Sequence, residues 1–550
     1  MNRPLATSAL ALILGAGPAL ADVTPAEVWQ SLQDSYEQMG YAVQVGSEDA
    51  SDEAITLTDV VLTVDGEADA PDMVLTLPEI VLTAVGDGTV RSVVGGQMTL
   101  ESSAVPEGDD EAVGFSMTMD APGNETISSG TPEALTHDVT MPTLTMSGRA
   151  LDDQNEVPLT ATLTGVTGSQ TVTTAADGAS TQTFEGRADA LEAQITASGP
   201  SLAATDAPET ETAPDATDAP ETAPDATDAP EASEAPDAPA ATAETDDFQA
   251  TITIADLTMQ GDGTSPAGEV NFGSQPTQAL QAGFGGKGSF AMGATSGSFT
   301  ASTLTADGSR NDSEGSFQAA SGTLAVGISK DGLSYEGGLT DMTTNLTATD
   351  MPFPIAYGAA ENRFRLAMPI VASDQEQPFA LTYVLDGLTL DDAIWQALDP
   401  EAALPRDPAS LTIDLEGTAL LTQNFMDPDF PQPVEPGPDG AAPMPLQPRS
   451  LTIKELALDA VGATADLSGA LTFGEDPSQP LGKIEGTFGG INGLLDTLVA
   501  MGVVPQEQLM GPRMMMAMFA RPVEGNPDQL QTEIEFREGG AIFANGQQIQ

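Results

Sequence analysis

The chain runs to 550 residues, enough for several domains. Its 83 Asp and Glu stand against 16 Lys and Arg, and the resulting net charge of −67 repels nucleic-acid phosphates and disfavours anionic membrane surfaces. Cysteine is absent, which excludes disulfides, thiol nucleophiles, cysteine-held zinc or iron–sulfur clusters, and a cysteine-borne lipid anchor.

Met1–Ala21 reads MNRPLATSALALILGAGPALA. A basic residue (Arg3), a short apolar run (Ala9–Gly17) and the small-x-small triplet Ala19-Leu20-Ala21 are the parts of a secretory signal peptide, cleaved after Ala21. The apolar run is too short to span a membrane, and no later segment is long enough to do so. The expected location is a bacterial periplasm. Asp22–Gly40 reads as a helix, with Thr24 as N-cap, Pro25 at its first position and Glu27 completing a capping box. Val28, Trp29, Leu32, Tyr36 and Met39 form an apolar stripe expected to plug one end of a sheet; the alternative is a partner-binding helix.

From Tyr41 to about Pro200 the pattern is strand after strand, with turns at Asp65-Gly66, Gly86-Asp87-Gly88, Pro122-Gly123 and Asp177-Gly178. One eight-residue unit recurs, with apolar residues at positions one, three, six and eight. It appears as ITLTDVVL (Ile55–Leu62), LTLPEIVL (Leu75–Leu82) and ITIADLTM (Ile252–Met259), loosely as Val139–Met146 and Tyr383–Leu390, and again within Leu451–Phe473. Period-two alternation predicts strands with one dry face. A straight strand would flip the second apolar pair to the other face. A β-bulge at the middle residues, where Asp59, Glu79, Asp256 and Glu455 stand, would keep all four together. The alternative is a tight turn between two short strands. His137, the only histidine, lies in the alternating run Leu135–Met141 and reads as a half-buried structural residue.

The stretch 201–247 differs in kind. ETAPDATDAP occurs at Glu211–Pro220 and again at Glu221–Pro230, in a field of Ala, Pro, Asp, Glu and Thr with no aromatic or basic residue before Phe248. Such a segment cannot bury enough apolar area to offset its ordering entropy, and it reads as a disordered acidic linker or inserted loop between β-rich regions 22–200 and 248–550. The second region returns to strands rich in Gly and Ser. Gly286-Lys287-Gly288 only superficially matches a phosphate loop, and Asp307–Glu314 lacks the ligand spacing of a calcium hand. A short helix carrying Trp395 is expected at Asp391–Leu398, then a strand at Leu411–Leu415, a proline-rich loop at Met426–Pro448, and helices at Ile491–Val503 and Pro505–Ala520. The cluster Met514–Met516 reads as core filling, or else as the lining of a soft ligand groove. Thr532–Phe536 and Ala541–Ala544 form a terminal hairpin.

Three stretches, DDAIWQALDPEAALPRDPASLTIDLEG (Asp391–Gly417), LVAMGVVPQEQLMGPRMMMAMFARP (Leu498–Pro522) and IEFREGGAIFANGQQI (Ile534–Ile549), resemble an uncharacterised family of exported alphaproteobacterial proteins, domain of unknown function 2125. The resemblance implies an exported β-rich protein and brings no catalytic residues. More distantly, the one-sided strands look like the long curved sheets of AsmA-like envelope proteins, some of which handle lipids; a likeness of fold does not fix function.

The fold expected is therefore mainly β: long curved antiparallel sheeting of one-sided strands, with an N-terminal, a short central and two C-terminal helices. With one His, no Cys and no Gly-x-Ser-x-Gly elbow, catalysis has only carboxylate pairs to draw on, and none of the 83 acidic residues stands out. Two Trp and five Tyr are few for a carbohydrate cleft or for the girdles of an outer-membrane barrel. No catalytic, cofactor or metal residue is assigned. What remains is a non-catalytic periplasmic protein that binds a lipid or other apolar ligand in a sheet groove, or one whose dry face is fully covered and which serves an envelope protein partner. A calcium-dependent acidic binding protein and a carboxylate-based hydrolase are further alternatives.

Overall fold

The alternation becomes one long antiparallel sheet. The computed structural model describes residues 23–38, 41–64, 72–104, 113–151, 157–200, 245–268, 272–273, 275–305, 308–427, 430, 445–474 and 476–550. The signal-peptide reading, the turn at Asp65-Gly66, residues 201–244 of the acidic stretch and most of the proline-rich loop lie outside the described residues.

The sheet opens with β1 (Ala42–Ala50), β2 (Ala54–Val64) and β3 (Asp72–Ala84). Two interrupted strands follow: β4 (Val90–Gly95) continues into β5 (Met98–Ala104), and β6 (Val113–Asp120) into β7 (Glu125–Thr131). Then come β8 (Ala134–Leu151), β9 (Val157–Thr174), β10 (Ser180–Pro200) and β11 (Thr245–Ser265). Two more interrupted strands, β12 (Gly285–Met292) with β13 (Thr295–Leu304) and β14 (Arg310–Ala319) with β15 (Ser321–Ser329), lead to β16 (Gly332–Ala348) and β17 (Ile355–Met368). The series runs on through β18 (Gln377–Leu390), β19 (Ala409–Leu421), β20 (Leu446–Ala460), β21 (Ala463–Thr472) and β22 (Leu481–Gly489). It ends with β23 (Arg521–Val523), β24 (Asn526–Arg537), β25 (Ala541–Ala544) and β26 (Gln547–Gln548). With each interrupted strand counted as one, the order as far as β22 is a plain up-and-down meander, every strand pairing with the next. β10 and β11 pair from Ser180↔Ser265 to Pro200↔Thr245, so the regions on either side of the acidic stretch belong to one sheet, and its last residues, Thr245–Asp247, are strand.

The spacing one, three, six, eight has a collective cause. At one level across β1–β18, a residue of each strand drops out of the ladder: Gly46 faces Asp59, Asp59 faces Pro78, Pro142 faces Gly165, Asp189 faces Asp256 and Asp341 faces Ala360. Pairing resumes in the same register beyond it, as in Val45↔Val60 and Ser47↔Thr58. Several of these residues take left-handed backbone: Asp59 and Asp256 at φ 51°, Asp341 at 48°, Gly165 at 64° and Gly387 at 65°. One inserted residue in one strand would make an ordinary bulge. Here neighbouring strands carry the insertion in a shared row, so none falls out of step and the sheet is creased along that row. Ile55, Leu57, Val60 and Leu62 accordingly share one face, each at most 3 % exposed. The strands are continuous, which overturns the tight-turn alternative. The unpaired residue in β3 is Pro78 rather than Glu79, as suits a residue with no N–H to donate. In β20 the extra residue is Lys454, beside a paired Glu455, and there the register does shift.

Helix α1 (Pro25–Gln38) starts as expected: Thr24 N–H donates to Glu27 Oε2 at 2.9 Å, and Glu27 N–H donates back to Thr24 Oγ1 at 3.3 Å. Its Val28 and Trp29 are buried with Leu57, Val60, Leu77, Leu82 and Leu135, the main core of the molecule. The short α2 (Pro276–Ala282), not anticipated, seats Leu280 against Ile370 and Val371. In α3 (Asp392–Leu398) the Asp391 carboxylate accepts from Ala393 N–H at 2.9 Å, and Ile394 and Trp395 are buried. The C-terminal helices are α4 (Ile491–Ala500), ended by the left-handed Gly502, and α5 (Met510–Phe519), preceded by a tight 3₁₀ turn at Gln506–Leu509. His137 is buried, at 6 % exposure, with Nδ1 2.8 Å from Ser128 Oγ. Burial holds its pKa below the usual histidine value, while the charge of Asp138 works weakly in the other direction.

Two predictions follow from this architecture. Asp341→Gly should fold with unchanged or raised melting temperature, whereas Asp341→Val should cost about 1–2 kcal/mol, because a β-branched residue is strained in left-handed backbone; equal tolerance of both would contradict the creased row. For His137, the unfolded chain takes up a proton near about pH 6.5 while the folded site resists it. Its contribution is therefore complete above that pH and is lost as pH falls through the folded pKa. Thermal scans from neutral to mildly acidic pH should show a fall in stability that His137→Gln flattens.

Candidate functional site

Register fixes which residues share a face, and following Ile55–Leu62 from partner to partner divides the whole sheet in two. The face that begins with Leu57 and Val60 continues through Val139 and Leu144, Leu191 and Ile254, Phe290 and Phe317, Leu339 and Met342, Phe364 and Tyr383, to Ile413, Leu456, Leu467 and Ile534. From β2 to β25 the paired positions of this face carry one acidic residue, Asp246 near the start of β11, the buried His137, and no Lys or Arg. The charge of the sheet lies on the opposite face.

Cover over the apolar face is uneven. α1 seals β1–β3, and α4 and α5 stand at the far end. Between β10 and β20 the same face presents Ile195, Phe248, Met259, Phe290, Phe317, Val326, Tyr335, Leu366, Leu381 and Leu458, each 36–46 % exposed, while Leu280 of α2 with Ile370 and Val371 packs against Ile328 and Leu333 at one end of it. Nine strand positions at about 4.8 Å apart make this open stretch about 40 Å long. That is far larger than the isolated apolar patches of ordinary soluble surfaces. Of the two alternatives for the dry face, an open groove or full cover, full cover is not met among the described residues.

The floor of the open stretch is low because aromatic rings lie over glycines. Phe299 and Gly315 are direct cross-strand partners, as are Phe317 and Gly297, and a methyl group on either glycine would overlap its partner's ring. Phe364 lies against Gly337 in the same way, and Phe248 and Phe299 stack at 6.4 Å. The rings thus spread along the sheet instead of standing up from it.

A cavity of about 970 Å³ crosses β9 to β17, lined by polar-face residues such as Thr167, Glu185, Arg187, Gln260, Glu336 and Arg365 and also by Met259, Phe290, Leu324 and Phe364. Its basic groups and those nearby are mostly neutralised: Lys287 lies 3.3 Å from Asp262, Arg363 3.0 Å from Glu361 and Arg365 3.8 Å from Glu336, while Lys454 is held by Glu416, which raises its pKa. Pairs this exposed add little stability. They do leave the furrow without excess positive charge for an anion. Among the described residues no group of three or more histidine, aspartate or glutamate side chains comes together as a metal site would require. Gly286-Lys287-Gly288 lies inside β12, paired with Asp262 and Gly327, and is not a phosphate loop.

The methionines of α5 depart from the core-filling expectation. Met510, Met514, Met515 and Met518 are 51–69 % exposed, and Arg513 pairs with Asp496 of α4. Sequence periodicity shows that a helix has an apolar stripe, but not that the stripe meets a partner.

No curated protein and no solved structure was found to match the chain. Within the chain, residues 278–544, from α2 to the end of β25, match the model of a family described as an uncharacterised protein conserved in bacteria, DUF2125.

Proposed function

We propose that this is a non-catalytic periplasmic protein that holds the acyl chains of envelope lipids on its open apolar face. The single observation that carries the reading is the stretch from β10 to β20: ten large apolar side chains on one face, all exposed, with Asp246 at its edge the one charged residue among the paired positions. Left in water, such a face costs roughly 25 cal/mol for each Å² of apolar area. An acyl chain laid along it removes that cost and needs no directional polar contact from the floor. The signal-like Met1–Ala21 supports an exported location, where lipids must cross an aqueous space.

The test is displacement of a fluorescent fatty acid by unlabelled fatty acid at micromolar concentration. Met259→Glu with Phe290→Glu, at two exposed neighbouring positions, should weaken binding at least tenfold, because chains would have to lie beside unpaired carboxylates. Thr258→Glu, one residue away on the polar face, should leave binding intact. Absence of displacement from the natural sequence would reject the reading in favour of a protein partner on the same face. The exported chain should begin at Asp22 by intact-mass measurement.

A further inference from the structure

The one acidic residue of the apolar face stands at its rim, beside an exposed ring. Asp246 and Phe248 lie two residues apart in β11 and so share the face; Phe248 is 39 % exposed and stacks on Phe299 at 6.4 Å. The carboxylate is held from one side only. Its Oδ1 accepts from Leu304 N–H at 2.7 Å, and Oδ2 meets no donor among the described residues. Thr303, the residue before Leu304, pairs with Asn311 of β14, whose Oδ1 is buried and likewise has no hydrogen-bond partner among the described residues. Arg310, opposite Leu304, belongs to the polar face, where its Nη1 donates to Ser302 Oγ at 2.9 Å. Asp247 also falls on the polar face. The rim therefore offers acceptors and an aromatic ring, with no Lys or Arg at the paired positions of its own side.

We propose that this rim binds the ammonium of an ethanolamine-type headgroup, so that the open face prefers lipids headed by a primary amine. The inference rests on the acyl-chain reading and adds a headgroup to it. An ammonium has three donors and no acceptor, and the rim holds two acceptor oxygens without partners. A carboxylate that a ligand covers and shields from water needs an opposite charge, which the amine supplies. The exposed face of an aromatic ring attracts the same cation. An uncharged glycerol headgroup on an anionic phosphate brings no such partner and meets Asp246 as a like charge. With the amine at Asp246, the tail runs onto Phe248 and its neighbour Ile195, both exposed members of the same face.

The test sets lysophosphatidylethanolamine against lysophosphatidylglycerol of the same acyl chain, each displacing the fluorescent fatty acid below the concentration at which it forms micelles. The natural sequence should prefer the ethanolamine lipid about fivefold, the size of one exposed ion pair with one ring contact. Asp246→Asn keeps an oxygen for Leu304 N–H, so its melting temperature should hold while the two lipids come within about twofold of each other. Asp247→Asn removes the same charge from the opposite face and should keep the preference, which separates a local site from the general repulsion of anions by a net charge of −67. Phe248→Leu, still apolar but without a ring, should lower the preference by about half. Displacement by both lipids without preference, full preference in Asp246→Asn, or equal loss in Asp247→Asn would each overturn the headgroup site and leave the acyl-chain reading standing. Absence of displacement by either lipid would reject the acyl-chain reading and this site with it.

Discussion

One shared irregularity governs this molecule: strand after strand from β1 to β18 leaves a residue unpaired at the same level. A single strand with an extra residue slips against its neighbour and turns its side chains over. When the neighbours carry the insertion in a row, the penalty cancels, and Asp59, Asp256 and Asp341 can occupy left-handed backbone without disturbing pairing on either side. What the crease preserves is the identity of the faces. Without it, Ile55 and Leu57 would look one way and Val60 and Leu62 the other, and no continuous dry side could form.

The second consequence is a strict partition of charge. Acidic residues are frequent enough that a long sheet with two equivalent faces would carry them on both, yet the apolar side from β2 to β25 holds only Asp246 at its paired positions. Burial explains this under α1, where an ionised side chain would be desolvated without compensation. Burial cannot explain it between β10 and β20, where the apolar side chains reach solvent. An exposed face with Asp246 as its one charged residue at paired positions, and floored by phenylalanines spread over Gly297 and Gly315, is consistent with an apolar occupant.

Much of the fold was legible in the sequence, since period-two alternation names strands without tertiary information and the Thr24–Glu27 box marks a helix start. The unit was recognisable where its four positions held Leu, Ile or Val. It was hidden where the same positions held Gly337, Leu339, Met342 and Thr344, because glycine and threonine read equally well as turn residues. Aspartate in the middle of the unit was a sound sign of irregular backbone, but whether the insertion belonged to one strand or to a row depends on register, which is a property of pairs. The short α2 escaped because seven residues hold too few turns for a period to show. Exposure of the apolar face and of the α5 methionines was out of reach altogether: a one-sided pattern is the same whether or not another element lies upon it.

The account stands most directly on what occupies the open face. Protein purified gently from its native cells, extracted with organic solvent and examined by mass spectrometry, should yield phospholipid or fatty acid in near-stoichiometric amount. A clean extract from protein that is folded and still exposes Met259, Phe290 and Leu381 would contradict it.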